Sequence, residues 1–263
     1  MLVIIFMKIL FIGDVVGVPG RDYLTRNLNK IKRDLKADLC IANGENSAHG
    51  NGATVSTLND LYMAGVDVIT MGNHTFKRDM TQVFDELSYV IRPANLPNTL
   101  PGEGYIIYDY GRVRVGIINA IGRVYLDPCD SPFTACKAII DKIKDDCDII
   151  FVDFHAEATS EKGAMGYYLD GQVAAVVGTH THIQTADEKI LPKGTAFITD
   201  VGMTGPAHSI LGVKTDIIVD RFVNFTNKKF ELGDGKVQFN GVLIDADEKT
   251  GLANKIERVA IYE

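Results

Sequence analysis

The sequence predicts an α/β fold in which layered sheets are covered by helices. Three observations predict it. Apolar strand-like runs alternate with stretches of helical period through most of the chain. Short β runs dominate the tail. Five of the strand-like runs end in a polar residue, nearly always beside a glycine. Strands alternating with helices favour parallel pairing under a helical cover, and a β-rich tail adds antiparallel strands.

Lys8–Ile12 reads as a buried strand closing on Gly13-Asp14. The preceding run, residues 1–6, is too short to span a bilayer and lacks a basic start and a small-residue cleavage site. It is read as an extension of the first strand, with Met7 as a second candidate start. Arg21–Lys36 is helical. Leu24, Leu28, Ile31 and Leu35 fall on one stripe, and Lys30, Lys32, Arg33 and Lys36 lie mostly on the other side as a solvated face. Asp38–Ala42 is a strand ending in Asn43-Gly44-Glu45-Asn46. A helix over Val55–Ala64 stops at Gly65, a residue suited to the left-handed cap. Val66–Met71 is a strand ending in Gly72-Asn73-His74.

Tyr105–Tyr110 and Arg112–Asn119 flank a glycine and read as an antiparallel pair. Ala135–Lys144 is helical. Asp148–Phe154 is a buried strand ending at His155, and Val173–Val177 another, ending in Gly178-Thr179-His180-Thr181-His182. The tail holds short β runs over Thr195–Thr199, Val237–Asp245 and Ile256–Tyr262, separated by turns such as Gly233-Asp234-Gly235. No Ser/Pro-rich linker, solenoid-length repeat or abrupt charge shift divides the chain, so residues 1–263 are expected to form one domain.

The 263 residues carry 27 Lys+Arg against 34 Asp+Glu, a net charge of −7. That balance argues against a protein that coats duplex nucleic acid by neutralising phosphates. No apolar run is long enough for a membrane span. The four cysteines, Cys40, Cys129, Cys136 and Cys147, show no C-x-x-C spacing, and they are read as reduced thiols of a cytoplasmic protein.

The chemistry lies at the strand ends: Asp14, Glu45-Asn46, Asn73-His74, His155 and His180-Thr181-His182. Loops at the carboxyl ends of α/β strands converge on one crevice, and glycine permits the sharp turns they need. Each residue alone has a plain structural reading: Asp14 as a turn or cap residue, Glu45 and Asn46 as helix caps, His155 as a polar strand end. Their joint placement favours a site. Two carboxylates, two carboxamides and several imidazoles form an oxygen and nitrogen shell without sulfur, suited to Mn, Fe, Zn, Ni or Co. The set exceeds the four ligands of a structural zinc site. It would serve two ions about 3.5–4 Å apart, with a bridging carboxylate and a bridging hydroxide. If residues 180–182 are extended, both histidine rings lie on one side and can serve adjacent metals. His49 and His208 sit in Gly-rich loops, as loop residues or lining of the cleft.

In this order the segments resemble the calcineurin-like metallophosphoesterases, which carry D-x-H, G-D-x-x-D, G-N-H-[D/E], a lone His and G-H-x-H. The counterparts are Gly13-Asp14-Val15-Val16, Gly44-Glu45-Asn46, Gly72-Asn73-His74-Thr75, His155 and Gly178-Thr179-His180-Thr181-His182. Val16 replaces the first-block His, Glu45 takes the place of the bridging Asp, and Thr75 replaces the acid after the catalytic His. These departures resemble a narrower branch, the YmdB-like bacterial phosphodiesterases. So do the strings running from Ile12 to Gly17, Asn43 to Asn46, Arg92 to Asn95, His155 to Ser160 and Asp200 to Gly205.

The resemblance implies a four-layer α-β-β-α sandwich, two packed mixed β-sheets flanked by helices. It implies a metal-dependent phosphodiesterase with a dinuclear centre, iron foremost with manganese or zinc as alternatives, that hydrolyses 2′,3′-cyclic nucleotides by attack of the metal-bridging hydroxide. Carried over, Asp14, Glu45, Asn46 and His182 would hold one ion, with Glu45 bridging. Asn73, His155 and His180 would hold the second. His74 would donate a proton to the leaving ribose oxygen; the resemblance names no group to orient it, because Thr75 is no carboxylate, and Asp79 is one candidate. Relatives also suggest a homo-oligomer. Two other functions are weighed. One is a phosphomonoesterase of nucleotidase type using the same site. The other is a regulatory or scaffold protein that binds RNA ends or a protein partner and keeps the metals structurally. The second would show a basic aromatic stripe or a spent catalytic residue, and neither is read from the sequence.

Overall fold

Alternation of side chains along the strands builds the layers of the fold. The computed structural model describes residues 6–263; the proposed strand extension over residues 1–5 lies outside them. In β1 (Phe6–Ile12), Met7, Ile9 and Phe11 face one way and Leu10 and Ile12 the other, all fully buried. β3 (Leu39–Asn43) repeats the split, with Leu39 and Ile41 against Cys40 and Ala42. A strand apolar on both faces must be covered on both.

The first sheet has seven strands. β1, β3 and β4 (Val68–Thr70) run parallel as neighbours. β1 also pairs antiparallel with β12 (Val237–Asp247), which in turn pairs with β13 (Ala253–Tyr262) and β11 (Met203–Pro206); β2 (Asp14–Val15) lies against β11. The second sheet has six strands in the order β5 (Tyr105–Asp109), β6 (Arg114–Ile121), β7 (Ile149–His155), β8 (Ala175–Thr179), β10 (Ala196–Ile198) and β9 (Lys189–Ile190). Its four central strands are parallel and its two edge strands antiparallel.

Between the sheets, Met7, Ile9, Phe11 and Ile41 meet Val115, Ile117, Phe151 and Val177, with Phe11 and Phe151 stacked at 5.4 Å. Burying each such side chain contributes roughly 1.5–3 kcal/mol. The opposite face of the first sheet lies under α1 (Gly17–Leu35), α2 (Val55–Ala64) and α3 (Thr81–Glu86). That of the second lies under α4 (Pro132–Ile143) and α5 (Thr159–Tyr168). The result is the expected four-layer α-β-β-α sandwich.

Local signals set most helix ends. α2 begins with a Thr54/Thr57 capping box and ends on Gly65 at φ 112°. α1 starts at Gly17, four residues ahead of the expected Arg21, because Pro19 is tolerated in a first turn. Two tail strands are longer than expected, β12 with 11 residues and β13 with 10, whereas β10 within Thr195–Thr199 has three. α5 and α6 (Thr215–Asn224) were not anticipated. α5 carries Gly163 and Gly166, which blur its period, and the Ile-Ile-Val run of α6 imitates a strand. All four cysteines are free, and burial pushes the thiols of Cys40 and Cys136 up to about 12. Among the described residues no helix is long and apolar enough to cross a membrane.

Candidate metal centre

The layer between the sheets turns polar at the carboxyl ends of the parallel strands. The parity that buries Leu39 and Ile41 also buries Asn43; Ile149 and Phe151 lead to Asp153 and His155; Ala175 and Val177 lead to Thr179. Asp153 Oδ2 accepts hydrogen bonds from Thr70 Oγ1 at 2.5 Å and Asn43 Nδ2 at 3.1 Å, and Oδ1 accepts from Thr179 Oγ1 at 2.8 Å. Burial raises the Asp153 pKa to about 6. With its one hydroxyl proton given to Asp153, Thr179 must accept from His155 Nδ1, 2.9 Å away. In the neutral ring this contact places the proton on Nδ1 and leaves Nε2 for the cleft. Burial disfavours charge on His155, but Glu45, Asp14 and Asp153 outweigh it and raise its pKa to about 9. The pocket favours a positive charge at that position.

The loops beyond the strand ends bring the other expected residues to the same place. Gly72 allows the closest approach: a Cβ there would stand 2.3 Å from Glu45 Oε2 and 2.4 Å from His155 Nε2. The contacts then fall into two groups. In one, Asn46 Nδ2 lies 3.1 Å from His182 Nε2, which is 3.9 Å from Asp14 Oδ1. In the other, His155 Nε2 lies 2.9 Å from Asn73 Oδ1 and 3.1 Å from His180 Nδ1. Glu45 Oε1 joins them, 3.2 Å from Asn46 Nδ2 and 3.3 Å from His155 Nε2. Ligand atoms of Glu45, His155 and His180 all lie within 4.8 Å of one another.

Burial and the charge on His155 push the His180 pKa down to about 3, so its imidazole is neutral and able to coordinate. Burial works against charge on Glu45, but His155 and His74 hold its carboxyl well below the usual carboxylate range. Burial pushes the Asp14 carboxyl up, against the pull of His182 and His155. Asp14 Oδ2 accepts from the His180 N–H at 3.1 Å, while Oδ1 is buried with no hydrogen-bond partner. A buried carboxylate oxygen without a partner is costly, and a cation among Asp14, Asn46 and His182 would satisfy it. The donor set fits the two-ion reading.

Residues 180–182 are not extended. β8 ends at Thr179, and His180 and His182 have φ of 104° and 64°. The turn separates the rings: His180 reaches His155 and His182 reaches Asn46. Positive φ at non-glycine residues stores about 1–3 kcal/mol, held here by hydrogen bonds. The Thr181 N–H donates to Asp200 Oδ2 at 3.0 Å, and that same oxygen pairs at 2.6 Å with Lys162 Nζ, both side chains being buried. Asp79 does not orient His74. It is exposed and accepts from the Thr81 N–H at 2.9 Å, at the start of α3. His74 Nδ1 instead lies 2.9 Å from Asn46 Oδ1 and 3.0 Å from Glu45 Oε1, and its N–H donates to Glu45 Oε2 at 2.8 Å.

The expected strings from Arg92 to Asn95 and around Thr75 have architectural roles. Arg92 ties down the carbonyls of Pro101 and Gly102, Asn95 braces Ile121 at the end of β6, and Thr75 Oγ1 donates to the Gly72 carbonyl. His49 lines a neighbouring hollow and His208 is exposed. Sequence reasoning gave no supporting role to Asp153, Thr179, Asn43, Lys162 or Asp200. Asn43 and Asp200 had a signal as the first residues of two strings that carry the resemblance, and Asp153 as a carboxylate inside the apolar run of β7. The centre opens into a cavity of about 680 Å³ lined by Glu45, Asn46, His74, His180 and His182 together with Leu211 and Phe222.

The model of the YmdB-like protein family matches residues 10–259. The chain belongs to this family. It is 48% identical over 258 residues to the 2′,3′-cyclic-nucleotide 2′-phosphodiesterase of Bacillus subtilis (strain 168), covering 98% of both chains. Its fold matches the crystal structure of a novel phosphatase from Mycoplasma pneumoniae with a TM-score of 0.93 and 37% identity, over 99% of this chain and 95% of that one. It also matches the crystal structure of a hypothetical protein from Thermus thermophilus, with a TM-score of 0.91 and 38% identity, over 98% and 100%. The YmdB-like chain therefore sits among hydrolytic enzymes of the metallophosphoesterase type.

Proposed function

We propose that this protein is a dinuclear-metal phosphodiesterase that opens 2′,3′-cyclic nucleotides. The observation that carries the reading is the pair of contact groups joined by Glu45, with Asp14 Oδ1 left unpartnered between imidazoles. Asp14, Glu45, Asn46 and His182 would hold one ion, and Asn73, His155 and His180 the other, with Glu45 shared. An oxygen and nitrogen donor set without thiolate suits Mn, Fe, Zn, Ni or Co alike, and only the family resemblance puts iron foremost. When bound, such ions lower the pKa of a water from about 15.7 toward about 7 and draw charge from the phosphoryl oxygens.

The chain's own groups do the rest. Asp153 and Thr179 hold the ring of His155, and Asp200 and Lys162 hold the turn that presents His180 and His182. His74 has Nδ1 engaged with Asn46 and Glu45, which leaves Nε2 for the substrate. As the water oxygen bonds to phosphorus and the bond to one ribose oxygen breaks, His74 donates a proton to that oxygen, help typically worth about 10²–10⁴-fold. The name of the Bacillus subtilis relative supports the 2′ oxygen as leaving group, with a 3′-phosphate as product. Parallel assays on a 2′,3′-cyclic nucleotide and a nucleoside monophosphate test the reading. Release of inorganic phosphate from the monoester, with the cyclic ester untouched, would instead identify a phosphomonoesterase. His74→Ala is expected to keep its metal, by elemental analysis, and to lose at least about 10²-fold in kcat.

A further inference from the structure

The cavity of the metal centre has a second wall that the proposed chemistry does not use. Residues 221–230 hold three phenylalanines and three cations, Arg221, Lys228 and Lys229, and no acid. This is the basic aromatic stripe that the sequence reading did not find, and the structure sets it at the mouth of the site. Phe222 and Phe230 line the cavity while remaining 77% and 51% exposed, and Phe225 beyond them is 91% exposed. The Arg221 guanidinium lies over the Phe230 ring, 5.1 Å from its centroid. Lys228 pairs with Asp220 at 2.9 Å, whereas Arg221 and Lys229 have no carboxylate partner among the described residues. A second hollow of about 430 Å³ adjoins the first, sharing Leu211, Arg221 and Phe230 with it and adding Lys228, Lys229 and Glu231, whose carboxylate is paired with Lys214 at 2.8 Å.

We infer that the substrate of this site is the 2′,3′-cyclic phosphate at the 3′ end of a single-stranded RNA, with its terminal bases on Phe222 and Phe230 and its preceding phosphates along Arg221 and Lys229. The inference rests on the phosphodiesterase reading for the reacting ring and goes beyond it in the size of the substrate. Exposed aromatic rings interleaved with cations are how proteins hold single strands without reading their sequence: bases stack on the rings, and the cations follow the backbone. A mononucleotide engages only the lobe beside the metals, and Arg221 and Lys229 then have no anionic partner among the described residues. An attached strand supplies one. The negative whole-molecule charge disfavours duplex but leaves this local patch suited to one strand. The reaction balances as before. Water adds to phosphorus, the bond to the ribose oxygen breaks, a proton passes to that oxygen, and the RNA ends in a phosphate monoester.

The test compares a 2′,3′-cyclic mononucleotide with a short oligoadenylate ending in the same cyclic phosphate. The oligomer is expected to show the higher kcat/KM, chiefly through KM. Its log–log dependence on salt should fall by about 0.7 for each phosphate held, and the mononucleotide's should be flatter. Phe222→Ala should lower the oligomer-to-mononucleotide ratio of kcat/KM by roughly 5- to 150-fold, and Lys229→Ala should reduce the salt slope by about 0.7. Equal use of both substrates with equal salt dependence overturns the inference. So does an oligomer preference that survives Phe222→Ala while the variant changes its sedimentation, which would assign the stripe to a second copy of the chain. Hydrolysis of neither substrate would sink the phosphodiesterase reading alone. Fluorescence anisotropy of a labelled oligoadenylate bearing a 3′-phosphate then decides: salt-dependent binding weakened by Phe222→Ala supports the strand site, and no binding removes it.

Discussion

At the scale of single residues, the buried groups behind the site matter as much as those facing it. Lys162 and Asp200 are both buried and paired, and Asp200 also receives the N–H groups of Thr181 and Gly202. Removing one member of such a pair leaves an uncompensated charge in the interior. Lys162→Met is therefore expected to destabilise the protein by about 3–5 kcal/mol, read as a lowered denaturant midpoint, and to loosen the turn carrying His180 and His182. A midpoint at the wild-type value would show that Asp200 finds another partner. Thr179 acts through His155 alone: it relays Asp153 to Nδ1 and so aims Nε2. Thr179→Val keeps the shape but breaks both hydrogen bonds. Metal affinity should fall about 10–100-fold in a titration, with circular dichroism unchanged. Wild-type affinity would mean that packing alone fixes the ring.

At the scale of elements, the site is a property of turns. β4 ends at Thr70, and the chain must pass within touching distance of Glu45 and His155 before Asn73 and His74 can enter the cleft. Only Gly72 has no Cβ to collide there. Gly72→Ala is expected to leave the sheet intact and to displace the Glu45 carboxylate, so that bound metal by elemental analysis drops while thermal unfolding stays cooperative. Full metal content would show that the loop can yield. Features of this kind explain what could be read in advance. The span of α2 was legible because cap, stripe and Gly65 are all local, and the strand ends were legible because nearly every binding segment adjoins its own glycine. α6 was not, since the β-branched run Ile217, Ile218 and Val219 masks the helical period, and only the burial of two of the three marks a helix on the surface. The supports of the site were hidden for another reason. Lys162 and Asp200 are 38 residues apart, Asn43 and Asp153 are 110 apart, and no local pattern records partners joined only by the packing of two sheets.

At the scale of the whole molecule, the two sheets close around charges that they do not neutralise. The central parallel strands aim their carboxyl ends at one cleft. The hydrophobic layer that welds the sheets therefore ends in buried Asp14, Glu45 and Asp153, with Asp14 Oδ1 unpartnered. Such an arrangement costs folding free energy that a bound cation offsets, and an ion that binds the folded chain but not the unfolded one stabilises it by mass action. Adding Mn2+ to chelator-treated protein should accordingly raise Tm. At a hundredfold excess over Kd the gain is about 2.7 kcal/mol, which for a chain of this size is roughly 5–11 °C. Asp14→Asn removes one charge and should shrink that increment while raising the Tm of the metal-free protein, because the unpartnered buried carboxylate is gone. A Tm indifferent to Mn2+, Fe2+ and Zn2+ in the wild-type protein would mean that the imidazoles satisfy the carboxylates by themselves, and the two-ion reading of the cleft would fall with it.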